Sequence, residues 1–127
     1  MRYTVETTKT PQATMEDLRA AVTKHGFGVL HVYDLKETLA SKGFPLAHAC
    51  HILEVCNPAQ AAKVLTEDIG MNIALPCRIS VYDEDGRTKI STALPTSLLG
   101  MLSDSSSLAA VAREVEDTMK AIMHDAA

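Results

Sequence analysis

The chain has 127 residues and a mass of 13.7 kDa, the size of one typical domain. Hydrophobic residues make up 46% and charged residues 22%, which excludes disordered, collagen-like and coiled-coil proteins. The net charge is −4 and the twelve lysines and arginines are scattered, which argues against a nucleic-acid surface. No apolar run approaches the roughly 18 residues that span a bilayer, and the first residues lack a signal-peptide core. We therefore expect a cytoplasmic protein that binds neither nucleic acid nor membrane.

The chain opens with a predicted strand and a predicted helix. Residues 2–8 alternate in polarity, which is typical of a half-buried strand. Thr14 and Asp17 have the spacing of a capping box, in which a hydroxyl and a carboxylate satisfy the first free backbone N–H groups of a helix. Gly26 is a natural end for that helix.

A second strand and helix follow directly. Residues 27–33 are apolar on both faces, which indicates a central strand. Asp34 and Glu37 form another capping box, so a short helix is expected between Asp34 and Gly43.

The third strand runs into the strongest helix signal in the chain. Residues 48–56 alternate as a strand does. Asn57 can cap the next helix, Pro58 fits its first position, and Gln60 fits its third. We expect that helix to extend to about Asp68.

Two further strands form a predicted hairpin. Residues 73–82 contain a strand in which Pro76 cannot donate a hydrogen bond, so a bulge or an edge is expected there. Asp85 and Gly86 supply the backbone conformation of a tight turn, and residues 87–94 return as the fifth strand.

The chain closes with a connector and a long amphipathic helix. Residues 95–102 are apolar and allow about one helical turn. The following apolar stripe consists of Leu108, Val111, Val115, Met119, Ile122 and Met123. Glu116 and Lys120 are four residues apart, and we place this ion pair on the outer face.

These elements give the order βαβαβαββα and predict an α+β fold. Helices between strands favour some parallel pairing, whereas the hairpin must be antiparallel. We therefore expect a single domain with a mixed five-stranded sheet packed by helices. Residues 1–102 would form that domain, and residues 103–127 would be a C-terminal helix packed on it.

Three segments resemble a known family. They are Gly26-Phe27-Gly28-Val29-Leu30, Ile52-Leu53-Glu54-Val55-Cys56-Asn57-Pro58, and Leu75-Pro76-Cys77-Arg78-Ile79-Ser80-Val81-Tyr82. Together they resemble the prokaryotic family called domain of unknown function three hundred and two, over roughly residues 1–102. The final helix is similar to a tail that many members carry. The resemblance implies a compact α+β domain that pairs as a homodimer, and it implies no established activity.

Cys56 is the first candidate for chemistry. It ends a strand immediately before the helix that Asn57 caps, so its thiol is expected near free backbone N–H groups. Such a position lowers a thiol pKa and favours the thiolate, which is the nucleophilic and metal-binding form. The alternative is a small buried residue in a tight corner, with Asn57 serving only as a cap.

Cys77 is the second candidate. It shares a strand face with Ile79 and Val81, which indicates burial. The functional alternative is that Cys77 and Cys56 approach each other across neighbouring strands as a dithiol or as half of a metal site.

His48 and Cys50 are the residues that could begin a metal site. They lie two apart on one strand face, about 6.6 Å along the chain, and would need two more ligands. An extended strand keeps Cys56 too far from His48 to join them. The sequence identifies no cofactor, and exposed or core positions remain the alternative for both residues.

His31 and Glu54 complete the set of candidates. His31 lies in the strand that is apolar on both faces, which favours a core histidine, and the alternative is proton transfer beside Cys56. Glu54 shares a strand face with Cys56 and could orient such a group, or it could be a solvated carboxylate.

These residues support three functional hypotheses. The first is a homodimeric protein that binds a small ligand or a sulfur species near Cys56. The second is an enzyme of thiol or persulfide transfer that uses a Cys56 thiolate, with His31 or Glu54. The third is a structural partner-binding module whose long terminal helix forms the interface.

Overall fold

A computed structural model describes residues 1–127. The strands are β1 (Arg2–Thr7), β2 (Gly28–Asp34), β3 (Cys50–Cys56), β4 (Cys77–Glu84) and β5 (Arg87–Ala93). The helices are α1 (Pro11–Lys24), α2 (Leu35–Ser41), α3 (Pro58–Glu67), α4 (Pro95–Leu102) and α5 (Ser106–Ala126), and a 3₁₀ segment spans Ile69–Ala74. The α+β class, the five strands and the order of the elements are confirmed. None of the helices is both long enough and apolar enough to cross a membrane.

The sheet is antiparallel throughout, with the strand order β1-β5-β4-β3-β2. The predicted parallel pairing is therefore wrong. The helices α2 and α3 each return the chain to the end of the sheet that it has just left, so the next strand runs in the opposite direction. Only α1 crosses the sheet, and it connects β1 and β2 at opposite edges, where they cannot pair.

Local capping signals decide most of the helix boundaries. Asp34 accepts a hydrogen bond from the N–H of Glu37 at 3.0 Å, and Asn57 accepts one from the N–H of Gln60 at 3.2 Å, as predicted. The positive φ angles of Asp85 (54°) and Gly86 (73°) confirm the hairpin turn.

The start of α1 differs from the prediction. Its cap is Thr10, whose hydroxyl accepts from the N–H of Ala13, and Pro11 occupies the first helical turn. Thr14 is instead fully buried inside the helix, where its hydroxyl donates to the carbonyl of Thr10. The threonine directly before the proline is the better cap because proline needs no hydrogen-bond partner at that position.

One face of the sheet is covered by α1 and α5. This packing forms the main core, to which the sheet contributes Leu53, Val55, Ile79, Val81 and Ile90. The C-terminal half of α5 belongs to this core through Met119, Ile122 and Met123. The N-terminal half of α5 lies instead in a second, smaller cluster that consists of Val64, Met71, Leu99, Leu108 and Ala112. The protein thus has two apolar clusters joined along one helix.

Glu116 is buried, so its predicted place on the outer face of α5 is wrong. Its Oε1 accepts hydrogen bonds from the N–H and the hydroxyl of Thr96, at 3.2 and 2.7 Å, and these bonds tie α4 to α5. Lys120 lies 3.6 Å away. Burial alone would raise the pKa of Glu116, but the two bonds from Thr96 and the nearby cations outweigh it and hold the pKa below its ordinary value.

We expect Glu116→Gln to destabilise the protein by about 1–3 kcal/mol at neutral pH, because a charged acceptor is replaced by a neutral one. The pKa of this carboxyl is lower in the folded chain than in the unfolded chain, where it is about 4.3. Its ionised form therefore stabilises the folded state fully above pH 4.3, and this stabilisation is lost as the pH falls through the pKa of the folded state. The difference between the two proteins should therefore shrink between pH 7 and pH 3 in urea unfolding. Glu16→Gln, at an exposed site on α1, is the control. A difference that does not change with pH would contradict this role for Glu116.

Candidate functional site

A cavity of about 300 Å³ lies between the two apolar clusters. Its walls come from the start of β2, the junction of β3 with α3, the start of β4, and the helices α4 and α5. Thirteen of its eighteen lining residues are hydrophobic, and none carries a charge. Its polar or sulfur-bearing lining residues are Cys56, Asn57, Gln60, Asn72 and Cys77. The space suits an uncharged and mainly apolar molecule.

Short side chains keep the cavity open. Ala61 of α3 and Ala112 of α5 line it, where larger side chains would fill the space between these helices. Phe27 and Val55 from the main core and Val64 from the second cluster also line the cavity. The two clusters therefore approach each other around the cavity without merging.

Cys56 lines the cavity, but its surroundings do not favour the thiolate. Asn57 already satisfies the N–H of Gln60, and its own carbonyl accepts from the N–H of Ala61. Burial, with no compensating charge or hydrogen bond, raises the pKa of the Cys56 thiol above its ordinary value. The predicted lowering of this pKa is wrong because desolvation outweighs the proximity of the helix start.

Cys77 lies one strand away and lines the same cavity. It pairs with Val55 in the antiparallel register, so it is offset by one residue from Cys56. Burial, and to a smaller extent the charge that a Cys56 thiolate would carry, raise the pKa of its thiol to about 11. Both cysteines are free thiols, and both are neutral near pH 7. The structure thus brings Cys56, Asn57 and Cys77 together around one apolar space.

Gln60 also lines the cavity. The sequence analysis missed this, because the position of Gln60 predicted only a helix start. Its Oε1 is inaccessible to solvent and has no hydrogen-bond partner. The helical spacing of Asn57, Gln60, Ala61 and Val64 places them on one face of α3, and this periodicity was the available signal.

Glu54 and His31 lie outside the cavity. Tyr33 donates a hydrogen bond to Glu54 at 2.7 Å, and Arg78 lies 3.5 Å from the same carboxylate. That bond raises the pKa of Tyr33, with burial as the second cause. His31 lies opposite Glu54 on the neighbouring strand and is exposed. Its ring packs edge-to-face against the ring of Tyr33, with the ring centroids 4.4 Å apart. The prediction of a core histidine is wrong, and neither residue contacts the cavity that Cys56 lines.

His48 and Cys50 do not form a shared ligand set. The strand begins at Cys50, so His48 precedes it and is exposed, with Nδ1 2.7 Å from the carbonyl oxygen of Asp83. Nowhere in residues 1–127 do three or more His, Cys, Asp or Glu side chains cluster closely enough to hold a metal ion.

We expect the native thiols to react slowly with iodoacetamide at pH 8. With a pKa of about 11, about one Cys77 thiol in a thousand is a thiolate at that pH. The alkylation rates of Cys56 and Cys77, followed by mass spectrometry, should rise steadily from pH 8 to pH 10, and the urea-unfolded chain is the control. Rapid alkylation of native Cys56 well below pH 8 would contradict the raised pKa.

The chain is similar to known proteins over almost its whole length. A family model described as "Domain of unknown function DUF302" matches residues 3–126. A crystal structure of an uncharacterized conserved DUF302 protein from Bacillus stearothermophilus is 36% identical, with a TM-score of 0.94, over 99% of this chain and 98% of that one. A search of curated proteins found no match. The chain is a member of the DUF302 family.

Proposed function

We propose that this protein binds a small, uncharged and mainly apolar molecule in the cavity beside Cys56. The observation that carries the proposal is a space of about 300 Å³ with no charged lining residue. Ligand pockets in proteins begin at roughly that volume. An apolar cavity of roughly half the size, about 150 Å³, is enough to bind benzene. A bicyclic aromatic molecule is therefore a reasonable first probe.

The state of the thiols supports binding over thiol or persulfide transfer. Transfer chemistry starts from a thiolate, and the pKa values of Cys56 and Cys77 are both raised by burial. Neither His31 nor Glu54 reaches the cavity to act as a base. In this proposal the two cysteines are small apolar wall residues. Three unpaired thiols also support a reducing, cytoplasmic location.

Filling the cavity should abolish binding. We expect Ala61→Phe to bind indene at least about tenfold more weakly than the unmodified protein, because the phenyl ring occupies the space that the probe needs. The matched control is Ala62→Phe, which makes the same change at the next, exposed position of α3. Binding is measured by calorimetry and by the rise in melting temperature that a ligand causes.

Two outcomes would overturn the proposal. One is that the unmodified protein binds none of benzene, indene and naphthalene. The other is that Ala61→Phe and Ala62→Phe bind indene equally well.

A homodimer is our second proposal, and exposed apolar side chains support it. The 3₁₀ segment and α4 lie against each other. Four large apolar side chains on these two elements are between 44% and 75% exposed: Ile69, Ile73, Met101 and Leu102. Burying such a group against a second copy would remove apolar surface from water.

The oligomeric state tests this second proposal. We expect the unmodified chain to sediment as a dimer and Ile73→Lys to sediment as a monomer, because a charge would be buried at the interface. Phe44→Lys, at an exposed phenylalanine beyond the end of α2, is the control and should remain a dimer. A dimer that tolerates Ile73→Lys, or an unmodified chain that is monomeric, would contradict this interface.

A further inference from the structure

We propose that a second cavity of this protein binds a small carboxylate with an apolar body, and that Arg78 binds its carboxylate group. The second cavity has a volume of about 250 Å³ and is distinct from the cavity beside Cys56. The inference therefore adds an anionic class of ligand at another place on the molecule, and it does not depend on the proposed function.

The first observation is the lining of the second cavity. It lies where the start of β4 and the end of β5 meet the 3₁₀ segment and α4. Seven of its ten lining residues are hydrophobic, and Arg78 is the only charged one. Ile73 lines it and is 75% exposed, so the cavity opens to solvent on that side. An apolar cavity of about 150 Å³ holds benzene, so this space has room for a ring that carries a carboxylate.

The second observation is that the donors of Arg78 are available to a ligand. Its Nη2 lies 3.5 Å from Glu54 Oε2, which is longer than the roughly 2.7–3.2 Å of an N–H···O hydrogen bond. Glu54 instead accepts a hydrogen bond from Tyr33 at 2.7 Å. The side chain of Arg78 is 62% exposed, so a molecule at the mouth of the second cavity can reach its N–H groups.

The chemistry of this lining favours a carboxylate over other anions. A guanidinium group donates two parallel N–H bonds, which match the two oxygens of a carboxylate. A phosphate has further charged oxygens that need donors of their own. Apart from Arg78, the only lining side chain that is not purely hydrocarbon is that of Cys77, whose neutral thiol is a weak donor.

The charges around the second cavity also favour an anion. Ala93 lines the cavity, and Arg2 lies opposite Ala93 on the neighbouring strand β1. Side chains paired in this way project from the same face of a sheet. Arg2 is exposed, and its charge offsets that of Glu54 at this end of the sheet. Arg78, Arg2 and Glu54 together carry a net positive charge, which attracts a carboxylate to the apolar space.

The first experiment compares benzoate with benzamide, which has the same shape and no charge. Affinities are measured by calorimetry on the unmodified chain and on Arg78→Met, which has an unbranched side chain without a charge. We expect the unmodified protein to prefer benzoate by about tenfold, and Arg78→Met to lose that preference. Arg87→Met removes an exposed arginine at the other end of β5 and should keep it. Sedimentation first shows that each variant keeps the oligomeric state of the unmodified chain.

Two results of this experiment would overturn the inference. One is that the unmodified protein binds benzoate no more tightly than benzamide, or binds neither. The other is that Arg78→Met keeps the preference for benzoate. Neither result bears on the proposed function, which is tested separately by the binding of indene in the cavity beside Cys56.

The second experiment locates the carboxylate. Ala93 lines the second cavity and not the first, whereas Ala61 lines the first and not the second. We expect Ala93→Phe to weaken benzoate binding at least about tenfold and to leave indene binding unchanged, because the phenyl ring fills only the second cavity. Ala61→Phe should have the opposite effect on the two probes. Loss of benzoate binding in Ala61→Phe with no loss in Ala93→Phe would overturn the inference, since the carboxylate would then occupy the first cavity.

Discussion

The whole architecture depends on covering the apolar face of one antiparallel sheet. Two helices, α1 and α5, cover that face, and the larger apolar cluster is the result. With 21 residues, α5 is about 31 Å long, whereas strands of six to eight residues span roughly 20–26 Å. Its N-terminal half packs on α3, α4 and the 3₁₀ segment, which form the second cluster. The cavity is the space left where these two packing arrangements meet.

Ionisable groups lie apart from the cavity. Tyr33 and Arg78 both contact Glu54, and none of these three ionisable residues lines the cavity. In the lining of the cavity, burial keeps Cys56 and Cys77 neutral, and every lining residue is uncharged. Desolvation explains both the state of the thiols and the kind of molecule that such a space can hold, because a charged ligand would lose its hydration without gaining a partner.

The sequence predicted features that depend on neighbours within a few residues. The caps at Asp34 and Asn57 and the turn at Asp85 and Gly86 each need only a side chain and a backbone group nearby in the chain, and all were correct. The family resemblance was also correct, and the family match extends through the terminal helix. Strand direction was mispredicted, because helical connections of similar length serve both parallel neighbours and antiparallel ones.

The sequence by itself determined the class of fold, the order of its elements and the family, because periodicity, caps and turns are local. Only the tertiary structure decided which candidate residues share a site. Cys56 and Cys77 line one cavity, whereas Glu54 and His31 do not line it. Gln60 donates a hydrogen bond to Glu114, which lies 54 positions further along the chain. The tertiary structure also decided the charge of the thiols, because desolvation depends on side chains from helices and strands that are distant in sequence.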